Sequence, residues 1–97
     1  MTKPRIVDTA NPTFSIIIPT YNRPEILSSC LESLTKLEYP PDLFEVIVVD
    51  DGSPVSPASV VELFAKRIRI KLICRENGGP AAARNSGITA AKGKYLA

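Results

Sequence analysis

Three runs of nearly unbroken apolar residues mark the chain: Phe14-Ser15-Ile16-Ile17-Ile18, Val46-Ile47-Val48-Val49 and Ile70-Lys71-Leu72-Ile73-Cys74. A run that does not alternate with polar residues reads as a strand buried on both faces, the pattern of a parallel sheet covered by helices. Between the runs, apolar positions recur at helical spacing. Ile26, Leu27, Cys30, Leu31, Leu34 and Leu37 form one stripe, and Val60, Val61, Leu63, Phe64 and Ile68 form a second. The boundaries are written in prolines and glycines. Pro19 is expected to end the first strand, and Pro24, preceded by Asn22 or Arg23 as cap, suits the first turn of a helix because its missing N–H costs nothing there. Tyr39-Pro40-Pro41 stops that helix, and the second strand runs from Leu43 to Val49. Ser56 can cap a helix that starts at Pro57.

A third helix is expected from Ala81 to Ala91, so rich in Ala, Ser and Gly that its backbone can lie close to the sheet or to a ligand. Lys92-Gly93 then places a glycine at its C-cap. Lys94-Tyr95-Leu96-Ala97 reads as the start of a fourth strand, whereas residues 1–13 carry two prolines and no periodicity, the mark of a flexible arm. Strand and helix alternate throughout, which predicts an α/β fold: three α/β/α layers around a mainly parallel sheet, joined by right-handed crossovers. One domain, residues 14–97, is all that this length supports.

In an open parallel sheet, ligands bind beyond the carboxyl ends of the strands. The second strand stops there on Asp50-Asp51-Gly52-Ser53, and the first on Thr20-Tyr21-Asn22-Arg23. Asp-Gly is also ordinary turn chemistry, so the two carboxylates are either site groups or turn caps. If the first two strands are neighbours, the cleft beside them gathers Tyr21, Asp50, Asp51, Arg84 and the start of the third helix. An aromatic face packs on a flat base, a carboxylate accepts a ring N–H such as uracil N3–H, and a helix N-terminus with an arginine favours phosphate. A nucleotide satisfies all three.

Composition removes competing chemistries. The chain has no histidine, which excludes a Ser-His-Asp triad, a Cys-His pair and a His-rich zinc site. Cys30 and Cys74 fall inside apolar patterns and are expected to be buried free thiols in a reducing compartment, so the chain reads as cytoplasmic, with the inner face of a membrane as a further setting. No apolar run approaches the ~20 residues needed to cross a bilayer, and no secretory h-region opens the chain. Residues 1–53 carry four basic and eight acidic side chains, and residues 54–97 eight basic and two acidic. Lys66, Arg67, Arg69 and Lys71 lack interleaved aromatics for stacking bases, so they read as a solvated face and no nucleic-acid partner is expected. Neither G-x-G-x-x-G at a helix start nor a P-loop occurs.

Three motifs together resemble the amino-terminal half of a family 2 glycosyltransferase with the GT-A fold. They are Pro19-Thr20-Tyr21-Asn22-Arg23, Val48-Val49-Asp50-Asp51-Gly52-Ser53 and Asn77-Gly78-Gly79-Pro80-Ala81-Ala82-Ala83-Arg84-Asn85-Ser86-Gly87. The resemblance implies a nucleotide-sugar donor, a UDP-sugar above all, transfer of the sugar to an acceptor, and Mg²⁺ or Mn²⁺ on the diphosphate; polysaccharide or cell-wall synthesis is the setting it suggests. It further implies that Pro19 and Tyr21 line the base pocket, that Asp51 holds the base N3–H, and that Arg84 lies near the base or phosphates. Asp50 is left between a ligand role and bonding its own loop. Asn77 and Asn85 are expected to brace their loops, and Gly78 and Gly79 to supply backbone freedom.

In that family an Asp-x-Asp metal motif and an acceptor base lie beyond a strand that begins like Gly93-Lys94-Tyr95-Leu96-Ala97. The expectation is therefore a donor-binding half with no catalytic or metal-ligating residue of its own, inactive alone and self-associating through an unpaired sheet edge. The acceptor, whether sugar, lipid or protein, is not legible. A non-catalytic nucleotide-binding or self-association module is the alternative. A phosphoacceptor receiver domain fits poorly, because its acidic pair belongs at the first strand, which here ends in Pro-Thr-Tyr.

Overall fold

The computed structural model describes residues 12–38, 40, 43–93 and 95–96. Residues 1–11 of the expected arm, together with Tyr39, Pro41, Asp42, Lys94 and Ala97, lie outside the described residues. The elements run β1 (Phe14–Thr20), α1 (Pro24–Thr35), β2 (Phe44–Asp50), α2 (Ala58–Phe64), β3 (Arg69–Cys74), α3 (Pro80–Ala90) and β4 (Tyr95–Leu96). All four strands are parallel, in the order β3-β2-β1-β4. This is the α/β/α architecture that the alternation of apolar runs and helical stripes predicts.

β2 lies at the centre, and every residue in it is buried. Its side chains alternate between two faces, as in any strand. Val46 and Val48 pack with Leu27 and Leu31 of α1 and with Val61 and Phe64 of α2. Ile47 and Val49 pack with Ala83 of α3. Burying each Val, Leu, Ile or Phe side chain of this kind contributes about 1.5–3 kcal/mol of transfer free energy. The small residues of α3 do bring it close to the sheet: a Cβ on Gly87 would stand 2.5 Å from Ile17 Cγ2.

Several boundaries differ from the sequence expectation. β1 continues through Pro19 to Thr20. The Thr20 carbonyl accepts the Asp51 N–H at 2.9 Å, so the Thr20 peptide groups face β2 and the Pro19 nitrogen faces the other way. On that side, among the described residues, β4 pairs with Phe14 and Ser15, and the proline interrupts none of those pairs. Cys30 and Cys74 are exposed rather than buried. The buried stripe of α1 is Leu27 and Leu31, which puts Cys30 on its flank, and Cys74 closes the outer strand β3. Leu63 is exposed as well, because α2 turns Val61 and Phe64 inward and ends before Ile68, which is buried beyond it.

Gly93 is not a left-handed cap, since the only glycines with positive φ among the described residues are Gly52 and Gly79. It is small for another reason: a Cβ there would lie 2.6 Å from the Phe14 carbonyl carbon and the Ser15 nitrogen. No helix of the described residues is long and apolar enough to cross a membrane.

Candidate functional site

β1 and β2 are neighbours in register, Thr20 opposite Asp50, so their following loops leave the sheet side by side. A chain of hydrogen bonds ties those loops together. Asn22, in the left-handed region at φ 52°, donates its N–H to Ser53 Oγ at 2.6 Å. The Ser53 hydroxyl in turn donates to Asp50 Oδ1, and the Ser53 N–H donates to Asp50 Oδ2 at 3.2 Å. Asp50 is buried and both its oxygens serve this loop. Of the two roles left open for Asp50, ligand contact or loop bonding, the geometry supplies the second.

Asp51 is turned to the other face of the sheet, toward α3. Its Oδ1 accepts the Gly78 N–H and its Oδ2 the Gly79 N–H, both at 2.9 Å. A carboxylate therefore sits at the start of α3, where the helix dipole favours it by about 0.3–1 kcal/mol. The helix N-terminus that the sequence offers to a phosphate is thus met first by the protein's own Asp51. Asn77 Nδ2 donates to the Asp51 carbonyl at 2.9 Å, bracing the β3–α3 loop against the end of β2. Gly52 must be glycine for two reasons: φ is +87°, and a Cβ would stand 2.8 Å from the Asn77 nitrogen.

The guanidinium that reaches Asp51 belongs to Arg75, a residue that motif and spacing did not single out. Its Nε lies 3.4 Å from Asp51 Oδ1, while Nη1 donates to the Ala82 carbonyl at 2.8 Å and to Ser86 Oγ at 2.7 Å. The signal was present, since Arg75 follows the last residue of β3 as Asp51 follows that of β2. Arg84 lies one turn along α3 from Pro80, exposed on the helix and not among the residues lining the cleft described next.

A cleft of about 500 Å³ opens where these loops meet, lined by Pro19, Thr20, Tyr21, Arg23, Ile26, Asp51, Asn77, Gly79, Pro80 and Ala83. Pro19 and Tyr21 line it, and Asp51 supplies its buried carboxylate. Ile26 is 60 % exposed, which places an apolar side chain at the rim although its position in the α1 stripe suggested the core. Tyr21, Arg23 and Ile26 also border a second, smaller hollow with Asn22 and Glu25.

The resemblance to the glycosyltransferases implies a divalent metal, and the two carboxylates at the end of β2 do not form a ligand set for one. Asp50 is engaged by Ser53, and Asp51 by Gly78, Gly79 and Arg75. Among the described residues no three His, Cys, Asp or Glu side chains are grouped as ligands.

This sheet and its helices match the amino-terminal, Rossmann-like half of GT-A glycosyltransferases. Staphylococcus aureus TarS 1–349 superimposes with a TM-score of 0.81 at 36 % identity, over 87 % of this chain and 26 % of its own. The complex of that protein with UDP-GlcNAc gives 0.77 at 37 % identity, over 87 % of this chain and 25 % of TarS 1–349. The Pyrobaculum calidifontis mannosyltransferase PcManGT, solved with GDP-Man and Mn²⁺, gives 0.74 at 30 % identity, over 84 % and 25 %. In sequence, the chain is 41 % identical over 86 residues to the uncharacterized glycosyltransferase EpsJ of Bacillus subtilis, covering 88 % of this chain and 24 % of EpsJ. The family model for glycosyl transferase family 2 matches residues 15–97. The chain belongs to glycosyltransferase family 2, and it spans about a quarter of the length of these relatives.

Proposed function

We propose that this chain forms the donor-binding half of a glycosyltransferase whose donor is a nucleoside diphosphate sugar, a UDP-sugar in the first instance. The observation that carries the reading is the cleft at the β1–β2 edge, with Asp51 at its wall and Tyr21 and Pro19 beside it. Asp51 keeps acceptor capacity, because a carboxylate offers about four lone-pair positions and the two glycine N–H groups occupy two of them. A base with a ring N–H, uracil or guanine, can donate to it; cytosine and adenine offer a bare ring nitrogen at the corresponding edge. Tyr21 and Pro19 pack on the base, and Arg84, on the exposed flank of α3, is assigned to the phosphates. TarS, a poly(ribitol-phosphate) β-N-acetylglucosaminyltransferase by name, was solved with UDP-GlcNAc and with UDP, which supports the uridine choice.

In this reading the chain binds donor and does not transfer sugar by itself. Asp50 has both oxygens bonded to Ser53, and Asp51 has Arg75 beside it and is assigned to the base N–H, so neither is proposed as a metal ligand or as the acceptor base. Calorimetric titration with UDP, GDP and CDP, with and without Mn²⁺, tests it. Binding of UDP in preference to CDP is expected; no binding of UDP or GDP overturns the reading, and sugar turnover by these 97 residues overturns its second half.

A further inference from the structure

The most connected side chain at the cleft is one that does not line it. Arg75 is 28 % exposed and spans from Asp51 to the second turn of α3. Two of its three nitrogens are engaged: Nε lies 3.4 Å from Asp51 Oδ1 and donates to the Glu76 carbonyl at 3.1 Å, and Nη1 donates to both the Ala82 carbonyl and Ser86 Oγ. The guanidinium lies against the loop whose N–H groups hold Asp51: a Cβ on Gly78 would come within 2.7 Å of Arg75 Nη2 and press on it.

We propose that Arg75 is a positioning residue for recognition of the donor base, acting through Asp51; this rests on the donor-site reading above. Asp51 Oδ1 already meets the Gly78 N–H and the Arg75 charge, whereas Oδ2 meets only the Gly79 N–H. By acceptor capacity the ring N–H of the base goes to Oδ2. Arg75 holds the carboxylate from rotating about its Cβ–Cγ bond and exchanging the two oxygens. It does so while anchored to α3, so the base-reading group and the helix beneath the cleft are fixed as one unit. A lysine cannot replace it, because a single ammonium lacks the planar fork that meets Asp51 on one side and Ala82 and Ser86 on the other.

The experiment compares uridine with N3-methyluridine, in which the ring N–H is gone. The wild-type chain is expected to prefer uridine by about tenfold or more, the scale of one charge-assisted hydrogen bond. Arg75→Ala is expected to lose most of that preference, Arg75→Lys to recover little of it, and Ser86→Ala, which removes one anchor without touching Asp51, to lose part. A variant that loses affinity for both ligands equally and keeps the full preference would show that Arg75 serves the fold alone, and would overturn the proposal. Should Arg75→Ala fail to fold, the Lys and Ser86 variants carry the same comparison. Failure of the wild type itself to bind uridine, or to prefer it, removes the base reading and the role of Arg75 with it.

Discussion

Asp51 and Glu45 stand at opposite ends of β2, both directed to the α3 side of the sheet and both almost fully buried. Asp51 meets the chain as it enters α3, accepting the N–H groups of Gly78 and Gly79. Glu45 meets the chain as it leaves, its Oε2 accepting the Lys92 N–H and the Ser15 hydroxyl at 2.7 Å each. Ser15 Oγ then accepts the Gly93 N–H at 2.7 Å, and Lys71 Nζ lies 3.9 Å from Glu45 Oε1. Each carboxylate thus fixes one end of the same helix. They differ in what lies outside: Asp51 borders a cleft of about 500 Å³, and Glu45 is enclosed by its own partners, Ser15, the Lys92 N–H and Lys71. A buried carboxylate that accepts backbone N–H groups is a structural clamp in either place. It becomes a recognition group only where the fold leaves one of its lone pairs facing open space.

The sharpest way to break this contrast is Glu45→Ala. It leaves the Lys92 N–H and the Ser15 hydroxyl without their acceptor in a closed region, at a cost of about 3 kcal/mol in unfolding free energy. Chemical denaturation measures it, and UDP affinity of the folded fraction is expected to stay within about twofold. A loss of affinity as large as the loss of stability would mean that the two ends of α3 are not separable.

At the other end, Asp51→Asn is expected to weaken UDP binding by about 1–3 kcal/mol, because a charged acceptor becomes a neutral amide. Stability is expected to fall less than in the Glu45 variant. Equal UDP affinity in wild type and Asp51→Asn would remove Asp51 from base recognition.

Acid sharpens the same comparison. Burial pushes the Glu45 carboxyl up, but the Lys92 N–H, the Ser15 hydroxyl and the Lys71 and Arg69 charges outweigh it and hold the group below its ordinary value of 4.5. A carboxyl whose folded value is depressed contributes its stability in full above the unfolded value and loses it as pH falls through the folded one. The chain should therefore lose stability as pH drops below about 4.5, and Glu45→Gln should flatten that slope. An identical acid slope in Glu45→Gln would place the titration elsewhere.

The smallest effect belongs to Arg84→Ala. Exposed and solvated, this guanidinium is expected to contribute about 0.5–1 kcal/mol to UDP binding and less to uridine, which has no phosphate. Equal weakening of both ligands would move Arg84 from the phosphates to the base or the loop.

Much of the architecture was legible in the chain because it depends on near neighbours. Unbroken apolar runs can be buried only between layers, which implied the parallel sheet, and Ala83 and Gly87 marked the helix that approaches it. Strand ends alone placed Tyr21 and Asp51 on one cleft, whereas Asp50 and Arg84, grouped with them, do not line it, and Pro19 was implied by the family resemblance. What the sequence by itself could not determine was the partnering of polar groups far apart along the chain. Arg75, which no motif marked, reaches Asp51, Glu45 inside an apolar strand clamps Lys92, and Gly93 yields room to Phe14 and Ser15 instead of capping a helix. Periodicity tells which face of an element is apolar, but a hydrogen bond depends on ångström-scale distances between residues that only the packing of α3 on β1 and β2 brings together.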